Sequence, residues 1–289
     1  MSDLSAFLGI LTELWHHPLL TLRENRDVLM EFARQDHWRA LALFFAVDVG
    51  LLEDDAHEIL AGYFRKMRTG APLVTLKLAT TLDGRIATHA GESQWITGEA
   101  ARRMGHAIRG RHDAVMVGVG TVLADNPELT CRIPGFAKRQ PVRVVADSHL
   151  RTPLTTRLVA TARETPTWVL TRHDSDRARR KAFEEAGVTL VDVRAGSAGL
   201  DMTDAMQALG KAGITRLMTE GGGQIAAALL RADLVDRLAW FHAPATMGGD
   251  GWPGVQAFGL EKLADLPRFT RTRVTPLGDD LLTEFTRHR

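Results

Sequence analysis

The sequence predicts an α/β protein: a mixed, mostly parallel sheet in a three-layer α/β/α arrangement, preceded by a small all-helical region. Three observations carry this expectation. From Leu73 onward, short β-branched runs alternate with helix-period segments. The last three candidate strands leave no room for helices between them, so they are expected as antiparallel neighbours at one end of the sheet. Residues 1–68 carry helix-period apolar positions (Leu4, Phe7, Leu8 and Leu11, later Leu29, Phe32, Trp38, Leu41 and Leu43) and few β-branched clusters.

The elements follow in order. RKMRTGAP, at 65–72, is basic and then Gly/Ala/Pro, and reads as a linker that divides the chain into 1–68 and 69–289. Candidate strands are 74–79, 113–119, 142–147, 167–171, 188–193, 216–220 and 237–244, with two late runs near 268–275 and 280–286. Candidate helices are 98–110, 175–187, 202–212 and 222–233. The third places Met202, Met206 and Leu209 on one face and stops at Gly213, and the fourth places Ile225, Ala228, Leu229 and Ala232 on one face.

Composition narrows the function. The net charge of +1 gives no electrostatic case for a nucleic-acid partner. The single cysteine, Cys131, excludes a disulfide framework and suits a reducing cytoplasm. The N-terminus has no basic start before its apolar run, and no window is long enough to span a membrane. A soluble cytoplasmic protein without a membrane partner is therefore expected.

Three clusters carry candidate chemistry. Lys77 sits inside an apolar strand, where a lysine is costly to bury unless it is paired or used; the alternative is an edge lysine facing water. Asp83-Gly84 and Gly91-Glu92 follow as turns, and Thr97 or Glu99 is expected to cap the next helix. In GVGTVLADNPELTCR, at 118–132, the strand ends at Gly118 and Gly120, residues 121–124 make one helical turn, and Asp125-Asn126-Pro127 stops it. The glycines and exposed amides there suit a close-lying anion, or they only relieve crowding. Arg109 and Arg132 flank this run; their guanidinium forks match phosphate oxygens, with a solvated surface role as the alternative. In MTEGGGQIAAALL, at 218–230, a strand ends at Glu220 and three glycines open an apolar helix, a cradle for phosphate on a helix N-terminus. His16, His17, His37, His57, His106 and His112 lack the spacing of metal ligands, so no metal is expected and the histidines read as surface or packing residues.

LKLATTLDGRIA, GESQWITGEAARR, DAVMVGVGTVLADNPELTCR, QPVRVVAD, TEGGGQIAAALL and APATMGG occur here in that order. Over about residues 65–288 this resembles the reductase half of the bifunctional deaminase/reductase family of riboflavin biosynthesis. The resemblance implies a dihydrofolate-reductase-like fold, NADPH as cofactor and a small phosphorylated aminopyrimidine as substrate, 5-amino-6-(5-phosphoribosylamino)uracil, whose ribosyl group becomes ribityl. Hydride passes to the sugar C1′, with the sugar open as an imine. The resemblance places Lys77, Glu220 and Asp125 at the chemistry, and Ser93, Arg109, Leu129 (through its backbone), Arg132 and Glu220 on the substrate. Ala79, Trp95, Thr121, Asp125 and Ser148 line the cofactor, and the run from Gly222, Gly223, Gln224 and Ile225 to Ala228 wraps its pyrophosphate. It also implies a homodimer.

The family's deaminase half carries an H-x-E and a P-C-x-x-C signature, and this sequence has neither, so deamination is not expected. The N-terminal helices are expected to act as a brace, a dimer element or a docking surface. Two alternatives remain open: a reductase of the same fold acting on another pterin- or pyrimidine-type substrate, and a non-catalytic partner of a separate deaminase.

Overall fold

The computed structural model describes residues 53–196 and 199–287. The predicted N-terminal helices fall outside these residues, except for the end of that region, α1 (Glu53–Thr69). The segment read as a linker holds the last turn of α1, with Lys66 and Arg68 at its negative dipole end, and then Gly70 in the left-handed region at φ +74°.

Thereafter the chain runs β1 (Leu73–Thr80), β2 (Arg85–Ala87), α2 (Glu99–Gly110), β3 (Ala114–Gly118), α3 (Val119–Asp125), β4 (Val142–Ala146), α4 (Arg157–Ala160), β5 (Thr167–Thr171), α5 (Arg177–Glu185) and β6 (Thr189–Asp192). A short pair, β7 (Ala195–Gly196) and β8 (Gly199–Leu200), precedes α6 (Met202–Lys211), β9 (Arg216–Glu220), α7 (Gly223–Arg231) and β10 (Arg237–His242). After β11 (Trp252–Pro253) and one 3₁₀ turn come β12 (Thr270–Leu277) and β13 (Asp280–Thr286).

Nine strands form one sheet in the order β12-β13-β10-β1-β9-β3-β4-β5-β6. The seven from β10 to β6 are mutually parallel; β13 is antiparallel to β10, and β12 to β13. The late strands form the antiparallel end, with one correction: the connection from β10 to β12 is long, carrying β11 and the 3₁₀ turn, and β13 sits between these two strands, which are parallel to each other.

Alternation along the strands builds two cores. Ala114 and Met116 of β3 face the cluster under α6 and α7, with Met206, Leu209, Ala226 and Leu229. Val115 and Val117 face the other cluster, under α2, α3, α4 and α5, with Ile108, Val122, Leu158 and Phe183. A strand buried on both faces must read as a continuous apolar run, as 114–117 does. One expectation shifts: Ala232 is the exposed C-cap of α7, and Ala226, Ala227 and Leu229 supply its buried face.

His112 is a packing residue between α2 and β1. Its Nδ1 lies 2.7 Å from the Ile108 carbonyl and its Nε2 lies 3.0 Å from Thr75 Oγ1. Burial pushes its pKa down to about 4, against the Ile108 hydrogen bond. A depressed histidine stabilises the fold above the unfolded value near 6.5, and that stability is lost as pH falls toward 4. The difference amounts to about 3 kcal/mol at most. Urea midpoints measured across this window are expected to fall less steeply in His112→Gln than in the wild type; parallel curves would contradict the assignment.

Candidate active site

β9 is inserted between β1 and β3, and its outgoing connection runs the opposite way along the sheet from that of β3. A parallel sheet opens a crevice at such a reversal. The two glycine-rich runs meet there. A Cβ placed on Gly118 would lie 2.9 Å from Ile225 Cγ1 of α7, so only glycine lets that helix approach β3. Gly221 (φ +64°) and Gly222 (φ +77°) are left-handed, and Cβ atoms there would point at Thr121 Oγ1 from 3.6 and 3.4 Å. Side chains at these positions would intrude into the space between the start of α3 and the start of α7, where unpaired backbone amides favour an anion.

Beside this crevice, on the sheet face covered by α2, stand the charged residues. Lys77 and Glu220 are register neighbours on β1 and β9, and Phe241 of β10 lies on the same face. Lys77 Nζ is 5.4 Å from the centroid of the Phe241 ring. From α2, Arg109 makes a two-pronged ion pair with Glu220, Nε to Oε1 at 2.5 Å and Nη2 to Oε2 at 2.8 Å. The pair is largely shielded, with the two side chains 16% and 12% exposed. Arg109 Nη1 also donates to the Thr130 carbonyl at 3.1 Å.

Electrostatics follow from this packing. Burial drives Lys77 below its ordinary pKa; Glu220 opposes the shift and Arg109 adds to it. Burial alone would raise Glu220, yet Arg109 and then Lys77 hold it at about 2. The site therefore keeps a carboxylate flanked by a lysine that gives up its proton more readily than an exposed one.

Loops close the perimeter. Ser93 Oγ donates to Asp125 Oδ1 at a long 3.5 Å, which joins the GESQWITG segment to the end of α3. Burial raises the Asp125 pKa, and hydrogen bonds from Ser93 and Gln94 oppose that shift. Trp95 is 67% exposed, with Arg102 stacked 4.8 Å from its ring centroid. A large aromatic left open at the rim is available to a flat ligand. Neither Thr97 nor Glu99 caps α2; the Gly98 amide donates to Asp280 Oδ2 at 2.7 Å instead. Leu129 is left-handed (φ +55°) and buried, which anchors the loop leading to Arg132.

Of the residues singled out in the sequence, Lys77, Ala79, Arg109 and Glu220 belong to one sheet face and its covering helix, and Gly222, Gly223, Gln224, Ile225 and Thr121 to the glycine junction. Ser148 follows the end of β4, two strands from β9 along the same edge. Arg132 is exposed and paired with Glu128 at 3.2 Å, whereas the fork of Arg109 is occupied by Glu220. Three contributors were not foreseen: Phe241 beneath Lys77, Asp280 at the start of α2, and His106 against Thr130. Only His106 left a trace in the sequence, three residues before Arg109 on a helix and so on its face.

The RibD C-terminal domain family model matches residues 72–283. The chain is 36% identical over 236 residues to the riboflavin biosynthesis protein RibD of Bacillus amyloliquefaciens, covering 81% of this chain and 62% of that one. It is 38% identical over 217 residues to the 2,5-diamino-6-ribosylamino-4(3H)-pyrimidinone 5′-phosphate reductase of Methanothermobacter thermautotrophicus, covering 74% of this chain and 98% of the other. Among solved structures, Acinetobacter baumannii RibD superposes with a TM-score of 0.72 at 28% identity, over 83% of this chain and 64% of that chain. The chain thus spans less than two thirds of the Bacillus and Acinetobacter RibD proteins and nearly the whole of a stand-alone reductase. With the family model covering most of the chain and a relative 38% identical over nearly its whole length, the chain belongs to the RibD C-terminal domain family.

Proposed function

We propose that this protein is an NADPH-dependent reductase that converts the ribosyl group of 5-amino-6-(5-phosphoribosylamino)uracil to ribityl in riboflavin biosynthesis. The observation that carries this reading is the juxtaposition of Lys77 and the Arg109–Glu220 pair with a glycine junction whose bare backbone leaves room for a phosphate. The family membership and the named activity of the similar stand-alone reductase support reduction of a ribosylaminopyrimidine phosphate; that relative is named for the 2,5-diamino form, and the choice of the deaminated form rests on the resemblance.

The residues fit the cofactor. Gly221 and Gly222 before α7 leave open a space facing Thr121 that a Cβ would fill, Gly223 is kept bare by the close approach of Pro253 and Gln256, and the sheet edge from β9 to Ser148 spans roughly 10 Å at the usual strand spacing. When bound, the nicotinamide supplies a hydride to the sugar C1′. Lys77 holds a proton at Nζ and delivers it to the sugar ring oxygen as the C1′–O bond breaks, while the glycosidic nitrogen lone pair closes a C1′=N bond. Burial lowers its pKa, so the proton is given up more readily than from an exposed lysine. Glu220 balances the positive charge of Lys77 and is itself fixed by Arg109. The loop bearing Leu129 and Arg132, together with Ser93, receives the sugar phosphate, and Asp125, to which Ser93 donates, stands on the cofactor side.

The experiment is NADPH oxidation by the purified protein with the deaminated aminopyrimidine ribosyl phosphate and, separately, with its undeaminated form. Turnover of the deaminated substrate without any added deaminase is expected. No turnover of either, with NADPH still bound, would refute the assignment and leave a different substrate or a non-catalytic role. Gly222→Val is expected to raise the Kd for NADPH at least about tenfold through left-handed strain and the blocked cradle; fluorescence titration of NADPH reads it, and unchanged affinity would remove the junction from the cofactor site. A cytoplasmic homodimer supplied by a separate deaminase belongs with this reading and rests on the resemblance. Among the described residues, no helix is long and apolar enough to cross a membrane, and no cluster of His, Cys, Asp or Glu is placed to hold a metal.

A further inference from the structure

His106 stands one turn before Arg109 on α2, and both reach the same backbone atom. His106 Nδ1 lies 3.0 Å from the Thr130 carbonyl oxygen, and Arg109 Nη1 lies 3.1 Å from it. The same Nδ1 lies 3.3 Å from the Arg132 amide nitrogen. These two contacts exclude one another chemically. The carbonyl needs a proton on Nδ1, and the amide needs its lone pair. A neutral ring can serve either partner by changing tautomer. A protonated ring can serve only Thr130, and then the Arg132 N–H is released.

The charged groups around the ring are Arg109 from α2, Arg132 from the loop and Glu220 from β9. Burial and the two arginines hold His106 below the ordinary histidine range, which favours the neutral ring. In that state Arg109 is neutralised by Glu220, and Arg132 leans on Glu128. A phosphate monoester brings a charge of about −1.5 to −2 at neutral pH, enough to favour a proton on a nearby imidazole.

We propose that His106 is a positioning residue of the substrate-phosphate end: it holds the Thr130–Arg132 segment, and it takes up a proton when phosphate binds, which frees the Arg132 amide to donate to the phosphate. This rests on the reading that the Leu129–Arg132 loop receives a sugar phosphate. It makes binding of a phosphorylated sugar proton-linked in a way that the arginines alone, charged at all relevant pH, cannot.

The test uses ribose 5-phosphate as probe, with ribose as the control that lacks the phosphate, and isothermal titration calorimetry in buffers of different ionisation enthalpy. Wild type, His106→Ala, His106→Asn and Arg132→Ala are compared at each pH, so the probe's own ionisation cancels between them. The wild type is expected to bind ribose 5-phosphate with net proton uptake beyond that of both His106 variants. His106→Ala is expected to weaken binding by roughly tenfold, the loss of one hydrogen bond near a charge. His106→Asn, whose amide can still reach Thr130 from near the Nδ1 position, is expected to recover part of that affinity without recovering the proton uptake. Equal proton uptake in wild type and both variants would overturn the proposal, as would an equal affinity loss at every pH. Wild-type binding that is indifferent to the phosphate or to Arg132→Ala would instead overturn the phosphate reading of the loop.

Discussion

Glu220→Gln is expected to lower turnover by two orders of magnitude or more and also to destabilise the fold. Among the described residues, Glu220 is the one carboxylate that acts on both Lys77 and Arg109, and it lies on a largely buried surface. An amide keeps the shape and one acceptor for Arg109, but it leaves two cations without a counter-charge. Removing one partner of a buried pair costs about 3–5 kcal/mol, which for a domain of this size lowers the Tm by roughly 10 °C. The sign with pH is also set. With a pKa of about 2 against an ordinary 4.5, Glu220 contributes stability above 4.5 that disappears as pH falls toward 2. The variant is expected to lose that acid-dependent component. Steady-state kinetics with melting curves from neutral to acid pH check both halves; a variant as stable and as active as the wild type would refute the pair's role.

Lys77→Met is expected to show the opposite combination: turnover reduced by about 10²–10⁴-fold, the range for loss of a positioned acid, with stability unchanged or increased. Burial disfavours the Lys77 ammonium, so the wild-type fold carries the cost of a desolvated charge. Methionine fills similar space against Phe241 and leaves Glu220 paired with Arg109. Between the depressed folded pKa of Lys77 and its unfolded value, the wild type gains stability as pH rises, and the variant is expected to lack that gain. A Lys77→Met protein that melts early and turns over normally would mean that the lysine is structural.

Much of this architecture is written in local pattern. The run 114–117 is apolar at every position because its strand is buried on both faces, and Met202, Met206 and Leu209 mark the face by which α6 packs. Lys77 announced itself as a charge inside such a run, and the glycines at 118 and 221–223 as places where side chains had to be absent. What local pattern lacks is any record of distant pairing. Arg109 and Glu220 are 111 positions apart, and Gly98 and Asp280 are 182 apart, so neither partner marks the other in the sequence. The short strands β2 and β11 pair residues 85–87 with 252–253 and are too brief to show a period. His106 read as a packing residue because its partners are backbone atoms, which carry no sequence signature.

The sugar should be reduced where Lys77 and Glu220 meet the glycine junction, and isotope transfer tests that most directly. The protein would receive NADPH deuterated at the nicotinamide carbon that donates hydride, together with the deaminated aminopyrimidine ribosyl phosphate, and the product would be read by mass spectrometry and NMR. One deuterium at C1′ of a ribityl product, formed by the wild type and formed about 10²–10⁴-fold more slowly by Lys77→Met while NADPH binding persists, is the predicted result. A product without deuterium at C1′, or labelled product formed as fast by Lys77→Met as by the wild type, would contradict it.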